Sequence, residues 1–456
     1  SDELTGLISG TTYYFQAYST NPVGTSYGSI QSFTAKTLVP ITTCTELQAM
    51  SLDLDASYAL ATDIDCTGFD PDNDGKGFIP VGTSGDPFTG SFDGNGHTIS
   101  NFTITRPDED NVGLFGYVSG GVFRNFNFNG SVSGNEYVGS AVGYSNSRAL
   151  LMDNVSSEAT MQSGQGHAGG LLGVSSGAKV TLTNSHYSGT ISAAANSGFA
   201  YGVGGLVGQI DSDNGESVIA SSSSSGNIHA SSSASSYFGG IIGYFTGASF
   251  VNISSTIDIS LQADGDLSYI GGLAGYFISD EAIAQTVSST GSIDITGQGV
   301  NYVGSLFGQA DIASASTGTA DVDMHINASN SAYAVGGLFG YADADFSVIS
   351  ASGSIDIVSV GGPQGIGGLA GDLRGPSMAN ATSTVNVSLQ SDTSVIQIGG
   401  FAGFFGLAES AYDIYSSSTL AVNFGGGSSI GGFAGRNESQ TIENIIALTD
   451  IQLVSI

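Results

Sequence analysis

The sequence predicts an all-β protein in which most of the chain forms a right-handed parallel β-solenoid of about eleven coils. A motif of the form apolar-Gly-Gly-apolar-apolar-Gly recurs along the chain, and residues 203–208 are its clearest copy. From residue 168 onward, the first residues of successive copies lie 31 to 35 residues apart. A fixed period of this length is typical of repeat architectures, in which each unit stacks on the next.

The eleven copies share this pattern, with Ser140 in place of the second Gly of the second copy and a first copy that is one residue shorter. They occupy residues 112–116, 138–143, 168–173, 203–208, 238–243, 270–275, 303–308, 335–340, 366–371, 398–403 and 430–435.

The remainder of each period predicts strands rather than helices. A Ser-rich step is followed by a short run of β-branched residues, as in residues 288–295 and 350–357. An Asn often follows the last Gly of the motif by nine residues, at Asn125, Asn252, Asn380 and Asn444. Gly and Ser disfavour helix interiors, and short apolar runs bounded by Gly, Ser and Asn are the strand signal. Because connections between parallel strands are right-handed in nearly all proteins, we expect a right-handed coil.

The paired glycines of the motif have two explanations. The first apolar residue and the Leu of the motif are three positions apart, so a straight strand would place them on opposite faces. Two glycines between them provide a bend if they adopt positive φ. Alternatively, they allow another backbone to approach closely. The sequence does not distinguish the two.

These repeats resemble the GLUG motif, a Gly-rich repeat of bacterial surface proteins, and the resemblance covers residues 40 to 456. It implies a stacked β architecture. Proteins with such repeats include adhesins, and the repeats also occur as appendages to IgA-specific metallopeptidases. The chain has no His-Glu-x-x-His zinc motif, so this segment is not expected to carry a metallopeptidase activity.

The charge balance of the chain excludes some classes of partner. The chain has 8 Lys and Arg against 40 Asp and Glu, for a formal net charge of -32. This balance argues against nucleic acid and against anionic membrane surfaces as partners, since both select for clustered Lys and Arg. It suits a protein kept soluble in a salty medium. No run of 18 apolar residues exists, so membrane insertion is not expected.

Three regions are predicted. Residues 1–38 resemble the C-terminal part of a fibronectin type III module, on the pattern of residues 4–7, 10–18 and 32–34, with Tyr13 where that family places its corner Tyr. Residues 39–110 form an N-terminal cap segment, and residues 111–456 form the GLUG-type solenoid. Only the tail of a sandwich is present, so we expect the native protein to extend upstream. The last apolar stretch ends within a coil, which favours extension downstream as well.

The cap segment contains a predicted short helix at residues 45–50 and a strand at residues 58–65. Cys44 and Cys66, the two cysteines of the chain, flank it. Two cysteines in a Gly- and Ser-rich acidic chain favour an oxidising compartment and hence a disulfide over two buried thiols. Such a bridge would contribute roughly 3 kcal/mol on the chain-entropy model.

A calcium loop is the candidate metal site. Asp70, Asp72 and Asp74 stand at positions 1, 3 and 5, with Lys76 at position 7, as in the first half of an EF-hand-type loop. Position 12 is Val81 rather than a bidentate Glu, which argues against a high-affinity version. The alternative is a solvated Asp-Gly turn.

Two further surface patterns have both a structural and a functional interpretation. Four carboxylates are predicted to stack as one outward column, which favours a wet outer face over ion bridging or ligand recognition: Asp258, Asp294, Asp323 and Asp356. Four tyrosines follow the motif and are predicted to stack on one another as a structural ladder, rather than to line a sugar-binding face: Tyr144, Tyr244, Tyr276 and Tyr341.

Together these features predict a non-catalytic extracellular bacterial surface protein that acts as an adhesin or a rigid stalk and is a fragment of a larger chain. The expected partners are a host or neighbouring-cell surface, a glycan or matrix ligand, and neighbouring modules of the same chain. The alternative is a carbohydrate-binding or carbohydrate-cleaving β-helix protein, similar to polysaccharide lyases and hydrolases. Two carboxylates within about 10 Å in a groove beside aromatic side chains would favour the enzyme.

Overall fold

The structure, a computed structural model, describes residues 10–35, 37–146, 148–177, 179–195, 201–212, 217–232 and 236–455. Residues 4–7 of the fibronectin-like pattern lie outside these ranges. Two short helices follow each other, α1 at Cys44–Gln48 and a 3-10 helix at Ala49–Leu52.

The strands follow one another along the described residues, mostly with short turns between them, except for the long segment between β5 and β6. They are β1 Thr12–Asn21, β2 Gly24–Thr34, β3 Leu38–Ile41, β4 Ser57–Leu60, β5 Ile64–Asp65, β6 Ser91–Arg106, β7 Phe115–Val118, β8 Gly121–Gly134, β9 Val138–Gly139, β10 Val142–Asn146, β11 Leu150–Ser157, β12 Thr160–Ser163, β13 Ala168–Gly169, β14 Leu172–Ser176, β15 Val180–Thr183, β16 His186–Ala195, β17 Gly202–Gly204, β18 Val207–Asp211, β19 Ser217–Ser232, β20 Tyr237–Gly239, β21 Ile242–Thr246, β22 Ala248–Ala263, β23 Leu267–Gly271, β24 Ala274–Ser289, β25 Ser292–Gly304, β26 Phe307–Gly336, β27 Phe339–Ser359, β28 Gln364–Gly367, β29 Ala370–Gly399, β30 Ala402–Ser416, β31 Thr419–Gly431, β32 Ala434–Asn437, β33 Ile442–Ala447 and β34 Asp450–Ser455.

The predicted parallel β-solenoid is confirmed. Within the described residues, strands β3 to β34 form one continuous sheet in which each strand pairs in parallel with the equivalent strand of the next turn. The stack has about twelve turns. This exceeds the number of motif copies because the cap segment is itself part of the stack: β4 pairs with β6, and β6 pairs with β8.

The interior of the stack is filled by apolar columns. Equivalent residues of successive motif copies, such as Val203, Phe238 and Ile270, pair in register and are almost fully buried. The Leu position of the motif is equally buried, as at Leu206. A unit of about 32 residues therefore buries its apolar residues against its neighbours rather than within itself.

The structure distinguishes the two explanations for the motif glycines. The chain bends at Gly205, between the end of strand β17 and the start of β18. The motif glycines nevertheless do not adopt positive φ. A Cβ at Gly204 would overlap the carbonyl oxygen of Val207, and one at Gly205 would overlap the carbonyl oxygen of Gly240 in the next turn. Close backbone approach, not positive φ, therefore requires glycine at these positions.

Left-handed corner residues explain the Asn that follows the motif. Asn125, Asn252, Asn380 and Asn444 all have φ between 52° and 57°. Their equivalents in other turns share this conformation even where the residue is not Asn, as at Val348, with φ of 52°. Asn tolerates the left-handed region better than other non-Gly residues, which accounts for its recurrence.

The Ser-rich step forms a buried column of small residues opposite the second motif Gly. Ser224, Ser255 and Ser289 pair in register from turn to turn, and each is buried. The Ser224 hydroxyl donates a hydrogen bond to the carbonyl oxygen of Gly240 at 2.5 Å. Only short side chains fit here, because the glycine backbone lies directly against them.

The cap segment has the predicted helix and disulfide. Thr43 caps α1 by accepting a hydrogen bond from the Glu46 backbone amide at 3.2 Å, and Leu47 lies fully buried against the stack. Cys44 and Cys66 form a disulfide with a Cα–Cα distance of 5.6 Å. The predicted strand at residues 58–65 is interrupted, because β4 ends at Leu60 and β5 begins at Ile64.

The two ends of the described chain differ from the middle. Strands β1 and β2 form an antiparallel hairpin outside the main sheet, in which the Tyr13 and Phe33 rings stack 5.8 Å apart. At the other end, the last turn leaves Ile446, Leu448 and Leu453 half-exposed or more. The assignment of the hairpin to a fibronectin type III module stays a prediction.

Candidate functional site: an aromatic stripe edged by carboxylates

Two columns of tyrosines run side by side along one face of the solenoid. The first follows the motif, and its members pair in register in the order Tyr117, Tyr144, Val174, Gln209, Tyr244, Tyr276, Gln309, Tyr341, Asp372, Phe404 and Arg436. The second precedes the motif and contains Tyr137, His167, Tyr237, Tyr269 and Tyr302. We name both columns together the aromatic stripe. Its tyrosines are half-buried, so their outer edges face solvent.

The predicted tyrosine ladder is confirmed for part of the first column. The Tyr244 and Tyr276 rings are 5.1 Å apart and inclined by 3°, and Tyr117 and Tyr144 stack at 4.9 Å. Tyr341 differs, because its register neighbours are Gln309 and Asp372 rather than tyrosines. Stacked rings cover each other's faces, so the hydroxyl edges are what remain accessible.

The second tyrosine column is a feature that our reading of the sequence missed. Tyr269 and Tyr302 stack at 5.1 Å with an inclination of 1°, and Tyr237 lies edge-on to Tyr244 of the first column. The signal was present, since four motif copies are directly preceded by Tyr. Burial, together with the neighbouring tyrosines, raises the pKa of Tyr237 to about 12. Its hydroxyl is therefore a neutral hydrogen-bonding group at physiological pH rather than a base.

His167 occupies one position of the second column. Its ring lies 5.2 Å from the Tyr137 ring. Its Nδ1 is 3.3 Å from Glu136 Oε1, and its Nε2 is 3.0 Å from Gln209 Oε1. The polar contact with His167 lowers the pKa of the Glu136 carboxyl group against the opposing effect of burial. The imidazole thus continues the column as a planar ring held by polar contacts on both sides.

An arginine lies over two rings toward the end of the first column, beside the column residue Asp372. The Arg374 guanidinium lies 5.6 Å from the Tyr341 ring centre and 5.1 Å from the Phe404 ring centre. Its Nε and Nη2 donate to the two oxygens of Asp372 at 2.9 and 3.0 Å. These hydrogen bonds raise the pKa of Arg374, which remains a cation. The planar guanidinium bridges two rings that are two turns apart.

Two carboxylates lie at one edge of the aromatic stripe. Asp311 and Asp343 lie two residues after Gln309 and Tyr341 and pair in register on adjacent turns. Burial, then Asp343 and Asp280, raise the pKa of Asp311. Neither Asp311 nor Asp343 has an ion-pair partner in the described part of the chain. Two carboxylates beside aromatic side chains thus occur, but on an open face.

The candidate calcium loop does not gather its acidic side chains. Asp72, Asp74 and Lys76 are exposed, and Lys76 Nζ forms an ion pair with Glu109 at 3.2 Å. Across the described residues, no group of three or more His, Cys, Asp or Glu side chains is arranged to hold a metal ion.

Asp70 is the exception in that loop. Its Oδ2 accepts a hydrogen bond from the Gly75 amide at 2.7 Å, whereas its Oδ1 is buried without a hydrogen-bond partner. It lines a pocket of about 290 Å³ together with Gly68, Gly77 and Thr103. The fit to calcium is partial, because one carboxylate is in place and the others are not. Calcium stays a prediction.

The single column of four carboxylates was a wrong prediction. Asp258 pairs with Ser292, which pairs with Asp323, whereas Asp294 and Asp356 belong to the neighbouring column and flank His325. His325 Nδ1 is 3.2 Å from Asp294 Oδ1. The register places hydroxyl or imidazole groups between the acids, which avoids like charges directly opposite each other. Counting from the first residue of the preceding motif copy would have separated Asp258 and Asp323, both at 20 residues, from Asp294 and Asp356, at 24 and 21 residues.

Comparisons with known proteins give partial matches. No family model matches the chain. Halomucin from Haloquadratum walsbyi is 43% identical over 124 residues, which is 26% of this chain and 1% of halomucin. A protein from Evansella cellulosilytica, provisionally named a Gly-rich membrane protein, is 35% identical over 103 residues, covering 22% of this chain and 12% of that protein. The chain therefore spans a small part of both relatives.

One solved structure also shows similarity. A chain from Bacteroides ovatus, provisionally named an immunoglobulin A1 protease, has a TM-score of 0.42 and 21% sequence identity, over 55% of this chain and 74% of that chain. No helix in the described residues is long and apolar enough to cross a membrane.

Proposed function

We propose that this chain is part of a non-catalytic extracellular surface protein of a bacterium, in which the solenoid acts as an adhesin or a rigid stalk. The observation that carries the proposal is the parallel stack of about twelve turns, whose strands belong to one sheet in the described residues. At about 4.8 Å per turn, the stack extends roughly 55 to 60 Å. A continuous sheet of this kind resists bending and presents long regular faces, which suits reach and attachment.

The relatives support a surface location. One of them is named Halomucin, and the other carries a name that places it at a membrane. The net charge of -32 agrees with a protein that faces a salty external medium. The disulfide agrees with an oxidising compartment.

The repeat and module assignments belong to the same proposal. We assign the motif copies to GLUG-type repeats, and the hairpin of β1 and β2 to the end of a fibronectin type III module. The hairpin exposes 74% of Tyr14 and 71% of Tyr18. Such large exposed rings agree with a hairpin that normally packs against further strands of a sandwich.

Two measurements test this function. Small-angle scattering of the purified chain should give an elongated particle, and beads coated with the chain should attach to cells or matrix where beads coated with albumin do not. A globular scattering profile would contradict the rod. A rod that attaches to nothing would favour the stalk over the adhesin.

Carbohydrate binding or cleavage is the second candidate. The observation that favours it is the pair Asp311 and Asp343 on adjacent turns beside Tyr276 and Tyr341. A polysaccharide panel tests it, with release of reducing ends or unsaturated sugars as the readout. Activity that disappears in an Asp311→Asn, Asp343→Asn variant would replace the non-catalytic proposal with the enzyme.

A further inference from the structure

We propose that the aromatic stripe binds arginine side chains of a partner protein, at a gap between Tyr276 and Tyr341. This inference names a partner for the proposed adhesin, and it rests on that proposed function. The solenoid would then recognise a basic, arginine-rich protein segment rather than a sugar.

The protein itself contains the precedent. In the first column, Tyr341 and Phe404 are separated by one turn whose column residue is Asp372, and the guanidinium of Arg374, two residues further on, lies over both rings. Asp372 fixes the guanidinium through two hydrogen bonds. The arrangement needs two rings two turns apart and an adjacent carboxylate.

Two rings separated by one turn recur two turns earlier in the stack without an arginine, and here the nearest carboxylate stands two residues beyond the column position rather than in it. Tyr276 and Tyr341 are separated by one turn, whose residue in the column is Gln309. Asp311, on the strand position two residues beyond Gln309, corresponds in register to Asp343 and then to Arg374. A guanidinium reaching Asp311 from solvent would therefore enter at the register position from which Arg374 covers its two rings.

Charge favours an external cation at this gap. Asp311 and Asp343 are half-buried on adjacent turns and have no ion-pair partner among the described residues. Their mutual repulsion contributes to the raised pKa of Asp311, after burial. A cation between them would relieve that repulsion. The wider stripe adds carboxylates of the same sign, such as Asp211 beside Tyr244.

Arginine fits the gap better than lysine or a sugar. Guanidinium is planar, stacks on rings and donates two parallel hydrogen bonds to a carboxylate, whereas ammonium is compact and strongly hydrated. A neutral sugar would leave the charges of Asp311 and Asp343 unpaired, whereas a guanidinium pairs with them.

Fluorescence anisotropy with a labelled octa-arginine peptide, at about 150 mM NaCl to screen diffuse attraction, tests the proposal. The expected result is saturable binding that octa-lysine displaces at least about threefold less well. An Asp311→Asn, Asp343→Asn variant should bind at least about fivefold more weakly. The matched control Asp258→Asn, Asp356→Asn makes the same charge change on another face and should stay within about twofold.

Two further variants address the rings. Tyr276→Gln should fold, because Gln209 and Gln309 occupy the same column, and it should weaken binding by about fivefold. Gln309→Arg should fill the gap with an internal guanidinium and block the peptide, whereas Gln262→Arg, at an exposed position of β22 outside the stripe, should not. Circular dichroism confirms the fold of each variant.

Equal weakening by the stripe variants and their matched controls would overturn the proposal, since it would show diffuse attraction to an acidic protein. Absence of binding by the wild-type chain, or equal affinity for both peptides, would overturn it as well. Neither result touches the rod shape or the surface location, which the peptide assay does not measure.

Discussion

At the scale of single residues, Asp311 is a carboxyl group whose ionised form is disfavoured by its surroundings. Its pKa is raised above the ordinary value of 3.8, first by burial and then by Asp343 and Asp280. A carboxyl whose folded pKa is raised favours the folded state while it is protonated, and this contribution is lost as pH rises through the folded pKa. The ionised Asp311 thus lowers the free energy of unfolding at neutral pH.

Asp311→Asn is therefore expected to raise the melting temperature at pH 7 and to have little effect below pH 3.8. The gain should be small, of the order of 0.5 kcal/mol, because the side chain is partly solvated. Thermal melts at both pH values measure it. A gain that persists at the acidic pH would indicate a packing effect instead of the charge.

The left-handed corner offers a second residue-scale prediction. Val348 has φ of 52° and is 54% exposed, although a β-branched residue pays about 1–2 kcal/mol for this conformation. Val348→Asn should stabilise the protein by about 1 kcal/mol and raise its melting temperature. The reciprocal change Asn380→Val, at an equivalent corner with φ of 52°, should lower it by a similar amount. Shifts of the same sign in both variants would contradict this explanation.

At the scale of the turn, the motif glycines limit the spacing between coils. Gly205→Ala would place a methyl group against the Gly240 carbonyl oxygen and the Ile257 side chain. Since the contact is with backbone, we expect a loss of about 1–3 kcal/mol, measured as a lower melting temperature. Gly85→Ala is the matched control, because nothing lies within 4 Å of the added carbon. A neutral Gly205→Ala would show that the spacing can relax.

Calcium binding by the cap segment is a prediction at the same scale. If the Asp70 loop binds calcium, the melting temperature should rise on adding calcium and fall back with a chelator, by RT ln(1 + [L]/Kd) in free energy. An Asp72→Ala, Asp74→Ala variant should lose the response. If the wild-type chain has the same melting temperature in calcium and in chelator, the loop does not bind calcium.

The comparison between sequence and structure is also clearest at the scale of the turn. The period and the strand character followed from local spacing, and the helix at Cys44–Gln48 followed from local composition. Register did not follow, because it depends on how each turn of 31 to 35 residues is aligned with the next. That is why Asp258 and Asp294 were assigned to one column although they belong to two. The Arg374 contacts with Tyr341 and Phe404 join three turns and leave no local signal.

At the scale of the whole molecule, the stack is a linear array in which each turn contacts mainly its neighbours. Removing one complete period should therefore leave a folded, shorter rod. Deletion of residues 303–334 joins Tyr302 to Val335, which preserves the order of columns because Val303 and Val335 pair in register. We expect cooperative melting and a maximum dimension shorter by about 5 Å in small-angle scattering.

Deletion of half a period, residues 303–318, is the matched control. It would place the motif glycines against the wrong face of the neighbouring turn and bury polar columns in the core, because a register that is out of phase moves every column at once. This variant should lose cooperative melting or aggregate. If both deletion variants melted alike, contacts between columns of neighbouring turns would not stabilise the stack. Each turn would then be stabilised by contacts within itself.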